Sequence, residues 1–207
     1  MQSKHQVKQY IRYLGLFYFF FLLFAINATA KSTSEIDASI ENAIDRFTTE
    51  VQGAQTYLDG ARGTLVIPKM IKAGLVLGME YGEGALVVDD IKVQYYRAFS
   101  GSLGLQLGIG SKDLIILFYD DDAMDEFLYS SGWQVGVDGS VALLDMGAGG
   151  SLDSTEAQDP IVGFVFGHKG LIAGLSLEGT KFTKIWPDAE PESEDESIEA
   201  FNENALD

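Results

Sequence analysis

The sequence predicts an α+β domain in which β dominates: a mainly antiparallel, curved, barrel-like sheet with an N-terminal amphipathic helix and one short internal helix. Three observations carry this reading. Apolar residues recur every three or four positions over residues 34–58 (Ile36, Ile40, Ile44, Phe47, Val51, Leu58), the spacing of one helical face. From residue 61 onward the pattern changes to short apolar runs bounded by Gly, Asp or Pro, which read as strands. Runs separated by turn residues, such as Val137-Asp138-Gly139-Ser140 and His168-Lys169-Gly170, indicate hairpins and hence antiparallel pairing.

Along the chain, Lys4, Lys8 and Arg12 precede an apolar run over residues 14–26 that ends in Ala28-Thr29-Ala30. This is the layout of a signal peptide, with cleavage after Ala30 and export to the periplasm or cell envelope. The run is too short for the ~20 residues a membrane-crossing helix needs. The chain has no cysteine, so it offers no thiol for lipid attachment, disulfides or metal ligation. In the helix over 34–58, Ser34 and Asp37 are spaced as a capping box, and the polar face holds Glu35, Glu41, Asp45, Arg46 and Glu50, acidic on balance. A helix that acidic is expected to pack on its own sheet, since membrane-adhering helices are basic on that face.

Strands are expected over residues 64–67, 75–79, 85–88, 92–98, 103–109 and 114–119, with Gly101, Gly104, Gly108 and Gly110 marking sharp curvature. A short helix over 120–130 starts at an Asp121 or Asp122 cap and buries Ala123, Met124, Phe127 and Leu128. Strands resume over 134–137, 141–147, 161–166, 171–177 and 180–185. Residues 187–207 are acidic and poor in apolar residues, so a disordered tail follows a domain spanning 31–186.

Charge and motif content narrow the function. The formal charge is −17, becomes −20 when the three leader cations are removed, and leaves −11 on the folded part when the nine acids beyond Trp186 are set aside. Such a surface disfavours nucleic acid. The acids Asp120, Asp121, Asp122, Asp125 and Glu126 lack the alternation and glycine of a calcium loop, so no metal site is expected. His168 is the sole histidine after the leader, it falls in an expected turn, and no Gly-x-Ser-x-Gly elbow is present. Gly82-Glu83-Gly84 leads into a strand and not a helix, which argues against a nucleotide loop. No catalytic set and no cofactor are expected. The competing classes are a small transmembrane β-barrel, opposed by the short strands and intervening helices, and a secreted hydrolase, opposed by the missing nucleophile motif. Lys69 and Lys72 are spaced to share one helical turn, whereas Lys92 and Arg97 face apart on one strand unless a bulge intervenes.

The blocks IPKMIKAGLVLGMEYGEGA (67–85), SKDLIILFYDDDAMDEFLYSSGWQVGVDGSVAL (111–143) and GLIAGLSLEGTKFTKI (170–185) together resemble the SYLF domain. The resemblance implies a non-enzymatic, lipid-binding, membrane-associated domain. Eukaryotic members bind phosphoinositides, and some fungal members bind actin, usually beside an SH3 domain, whereas bacterial relatives stand alone behind a signal peptide. For this chain it implies an envelope protein of the bacterial secreted type whose partners are lipid headgroups and not actin. In so acidic a protein that calls for a local basic site, with Lys69 and Lys72 its first contributors and Lys181 and Lys184 next.

Intact-mass measurement of the purified protein is expected to show a chain beginning at Lys31, and a retained 1–30 segment would refute the leader reading.

Overall fold

The computed structural model describes residues 31–188 apart from 75–76, 104–107, 147–158 and 171–175. The expected leader, most of the acidic tail and most of the expected strand 171–177 lie outside the described residues.

The predicted N-terminal helix is two helices, α1 (Thr33–Glu50) and α2 (Ala54–Gly60), broken at Gly53, whose φ of +80° is left-handed. The capping box sits two residues earlier than the sequence spacing suggested. The Ser32 side chain accepts from the Glu35 N–H and the Glu35 carboxylate accepts from the Ser32 N–H. A glutamate reaches back across the first turn where the shorter Asp37 would not. Ile36, Ile40, Ala43, Phe47, Val51 and Ala54 are buried, as the periodicity requires.

Among the described residues eight strands form one sheet: β1 (Gly63–Gly74), β2 (Leu77–Val88), β3 (Ile91–Leu103), β4 (Gly108–Phe118), β5 (Trp133–Gln134), β6 (Ala142–Asp145), β7 (Ile161–Gly170) and β8 (Lys181–Ile185). Their order is β5-β8-β3-β2-β1-β4-β7-β6, and every pairing is antiparallel except β6 on β7. The helix α3 (Asp121–Tyr129) is capped by Asp120, which accepts from the Ala123 N–H at 2.9 Å. The expected hairpin across residues 137–140 does not form, because β5 pairs with β8 and β6 with β7. The residues expected to turn at 168–170 continue β7 instead.

The long strands correct one step of the sequence reasoning. β1 to β4 have 12, 12, 13 and 11 residues, long enough for a bilayer, so strand length does not argue against a transmembrane barrel. Glycine interrupts the apolar pattern without ending the strand. At Gly84 a Cβ would lie 1.7 Å from the Val66 carbonyl oxygen, so the strand continues through a residue that only glycine can fill.

The core shows how the sheet is rolled. The Phe127 ring of α3 is 4.7 Å from Tyr96 on β3 and 5.0 Å from Phe118 on β4, although two strands separate them in the sheet. On a flat sheet those strands would be ~14 Å apart. The face carrying Leu65, Ile67, Leu86, Tyr96, Leu114 and Phe182 is therefore the inner one, closed by α3. The outer face buries Val66, Ala85, Ile115, Leu117 and Phe164 under α1 and α2. Beneath α3 the inner face is lined by apolar side chains, while its distal part carries Lys72, Glu80 and Lys112.

Three tyrosines predict how the fold responds to alkali. Burial pushes the phenols of Tyr96 and Tyr119 up to about 12, and burial followed by a hydrogen bond to Asp37 does the same for Tyr95. A raised folded-state pKa means this contribution is intact below pH ~10, where the unfolded phenols begin to ionise, and is lost as pH rises toward about 12. Urea denaturation across that range is expected to show the fall. Among the described residues the buried Tyr96 hydroxyl has no hydrogen-bond partner, so Tyr96→Phe is expected to be neutral or to add up to ~1 kcal/mol and to shrink the alkaline loss.

Candidate functional site

The site begins with one buried carboxylate. Asp113 on β4 accepts the Lys69 N–H at 2.8 Å and, through its other oxygen, Arg46 Nε at 3.0 Å and Nη2 at 2.6 Å, which joins α1 to the sheet. Opposite it β1 takes one extra residue, since Ile67 pairs with Leu114 but Met70 with Lys112. On its other side β7 does the same, since Phe166 pairs with Asp113 but Lys169 with Ser111. Lys69 has a φ of +51° in the first bulge and Gly167 a φ of +62° in the second, where a Cβ would come within 2.4 Å of Asp113 Oδ2. A bulge of one residue reverses which side chains face out. Beyond Asp113, Ile71 and Lys169 therefore face outward and Lys72 inward.

Past the reach of α1, the outer face of β1 to β4 is exposed. Two neighbouring cross-strand rows can be read from the register. One runs Ile109, Ala73, Met79, Gly101, and the other Lys169, Ser111, Ile71, Tyr81, Phe99, Lys181. Ile109 is 75% exposed, Met79 58%, Ile71 53%, Phe99 46% and Tyr81 40%, a contiguous apolar band. In the longer row two lysines flank the apolar residues, on β7 and β8, about 24 Å apart along the ladder, and Gln134 of β5 follows Lys181. Neither row contains a carboxylate. In the row below, the Glu83 carboxylate is buried and accepts hydrogen bonds from the Tyr81 hydroxyl and from Arg97 Nη2 at 3.4 Å. The Arg97 guanidinium also lies over the Tyr81 ring, 5.6 Å from its centre. Burial and then Glu83 raise the Tyr81 phenol above its ordinary pKa.

On the inner face of the same strands Glu80 holds two lysines, Lys72 Nζ at 3.1 Å and Lys112 Nζ at 2.7 Å, with all three side chains buried. The four lysines named from sequence thus have separate placements. Lys69 is exposed in the bulge, Lys72 is committed to Glu80, Lys181 is exposed at the end of the apolar row, and Lys184 is half-buried opposite Tyr96 on the inner side. Lys69 and Lys72 lie on a bulged strand and not in a helical turn, and the four do not converge on one pocket. A register shift between Leu86 and Val87 puts Lys92 on the same face as Arg97, but Lys92 is 3.6 Å from Asp37 and 3.4 Å from Glu41. His168 is half-buried in β7, 3.5 Å from Asp145, and does not occupy the expected exposed turn. Among the described residues no three acids or histidines are grouped to hold a metal ion.

Sequence reasoning missed Ile71, Met79, Tyr81, Phe99 and Ile109 as a set, and missed Lys169. The apolar residues read as core, and their exposure depends on bulges with no local signature beyond Gly167. Residues 99–186 match the model of a family described as Ysc84, Las17-binding protein actin regulator. The match is consistent with the resemblance of the sequence blocks to the SYLF domain. It runs from the end of β3 through β8 and so contains Phe99, Ile109, Lys169 and Lys181, while Ile71, Met79 and Tyr81 precede it. A search among curated proteins found no match.

Glu80→Gln leaves two buried ammonium groups without their shared carboxylate and is expected to cost ~3–5 kcal/mol of unfolding free energy in urea titration. Lys184→Gln, outside that cluster, should stay within ~0.5 kcal/mol of the parent.

Proposed function

We propose that the protein is a non-enzymatic, exported lipid-binding protein of the cell envelope that meets anionic membrane surfaces through the lysine-flanked apolar band. The observation that carries the reading is the longer cross-strand row, in which Ile71, Tyr81 and Phe99 lie between Lys169 and Lys181 without an acid among them. Apolar side chains that enter the acyl boundary gain roughly 1 kcal/mol each when half of their surface is already buried. Lysines at the rim keep their ammonium groups at the level of lipid phosphates while their stems lie along apolar surface. The SYLF match of residues 99–186 supports a domain of the lipid-binding and actin-regulator type. The leader-like start of the chain supports export, so the actin partnership named in the family description is left to relatives inside cells.

Within this reading Lys181 and Lys69 are the headgroup contacts retained from the sequence, and Lys169 joins them. Lys72 supports the strands through Glu80. The net negative charge of the protein excludes long-range attraction to an anionic bilayer, so binding rests on short-range contact.

Co-sedimentation with vesicles of phosphatidylcholine and phosphatidylglycerol tests this. Replacing Ile71, Met79 and Phe99 together by Ser is expected to lower vesicle affinity at least tenfold, and the Lys169→Glu, Lys181→Glu pair to remove the preference for the anionic lipid, with melting temperatures unchanged. A parent protein that binds no vesicle of any composition, or a triple variant that binds as the parent does, would show the reading to be wrong.

A further inference from the structure

The lysine-flanked band has a second ligand close at hand, the acidic end of the same chain. Asp188 is the last described residue, and its Oδ1 accepts the Thr33 N–H at 3.0 Å at the start of α1. Because α1 lies on the outer face, the chain leaves the domain on the side that carries the band. The strand β8 leads back to it directly, with Ile185 opposite Tyr95 and Lys181 opposite Phe99. Those four steps span about 13 Å. Residues 189–207 could extend up to ~60 Å, so the whole band is within reach.

Charge selects the same surface. Residues 189–207 contain eight carboxylates and no lysine or arginine, with Ile198, Phe201 and Leu206 between them. The helix α1, which begins at the exit, carries Glu35, Glu41, Asp45 and Glu50 exposed along its length and repels such a segment. The band has Lys169 and Lys181 at its ends, Arg97 beside it, no carboxylate in its two rows, and uncovered apolar side chains.

We propose that residues 189–207 dock on the lysine-flanked band and compete there with anionic lipid. The competition rests on the lipid reading above, while the docking does not. A tether of this length gives an effective concentration in the millimolar range, so even weak docking occupies the band appreciably. Docking of the segment then lowers the apparent affinity for lipid in proportion to the fraction of chains left open. Salt at high concentration screens the contact and removes the competition.

The absence of cysteine makes a direct test simple, because Ser197→Cys in the full chain introduces a single thiol for a spin label. At low salt the label is expected to broaden the backbone amide signals of Ile71, Phe99 and Lys181 over those of Leu144 on β6. The effect should vanish at high salt and in the Lys169→Gln, Lys181→Gln variant. No selective broadening at the band would overturn the proposal. So would broadening between a spin-labelled chain and a separate isotope-labelled chain at equal strength, which would give the band to a second copy. In the vesicle assay, changing the eight carboxylates to their amides should tighten binding roughly 3- to 10-fold, and less when Lys169 and Lys181 are also Gln. An equal gain in both backgrounds would reduce the effect to net charge and overturn the competition. Broadening without vesicle binding by any variant would leave docking in place and sink the lipid reading. Vesicle binding without broadening would do the reverse.

Discussion

One buried carboxylate, Asp113, sets which way the distal half of the sheet faces. It sits where both neighbouring strands carry an extra residue, and its two oxygens take the bulge N–H of Lys69 and the Arg46 guanidinium. Burying a carboxylate is unfavourable unless its acceptor sites are filled and its charge is met, and the bulge and Arg46 do both. The same contacts fix α1 over the proximal half of the strands. Helix placement and strand parity are therefore one constraint. If β1 ran without its bulge, Lys72 would face outward and Ile71 inward, and Glu80 would lose one of its two cations.

The acids within the distal strands follow the same logic. Asp113 is met by Arg46, Glu83 by Arg97 and Tyr81, and Glu80 by Lys72 and Lys112, all with the carboxylate buried. A protein of strongly negative net charge thereby presents a region whose exposed charges are positive. Buried ion pairs are poor sources of stability, because desolvation offsets most of their attraction. Their consequence here is electrostatic: the carboxylates are withdrawn from the surface and Lys169 and Lys181 are left without an acid in their row.

The class of fold was legible because it rests on the helical period kept by Ile36, Ile40, Ala43 and Phe47 and on apolar strand runs such as Leu114 to Phe118 of β4, which is buried on both faces. Strand lengths were not, since glycine and lysine inside β1 and β2 read as ends when they are a close backbone approach at Gly84 and a bulge at Lys69. Facing was lost for the same reason. Period two predicts sides only along an unbroken ladder, and β1, β3 and β7 each carry a shift. Lys181 keeps the facing that period two gives it, because the β3–β8 register carries no shift. Lys169 was missed because an apparent turn, His168-Lys169-Gly170, is a strand continuing past its bulge.

The exposed band also follows from a mismatch of lengths. A helix is ~10 Å across with its side chains, whereas a strand of 12 residues is ~40 Å long, so a helix crossing the strands covers only a fraction of each. The proximal part of the outer face lies under α1 and α2, and the pair ends at Gly60 before β1 begins. The distal part has no helix of the described chain over it, yet it carries Ile71, Met79, Tyr81, Phe99 and Ile109 where a solvated face would carry polar residues. Strand-edge charges alone would have sufficed for solubility. An exposed apolar patch flanked by cations has the marks of an interaction surface and not of a solvated face.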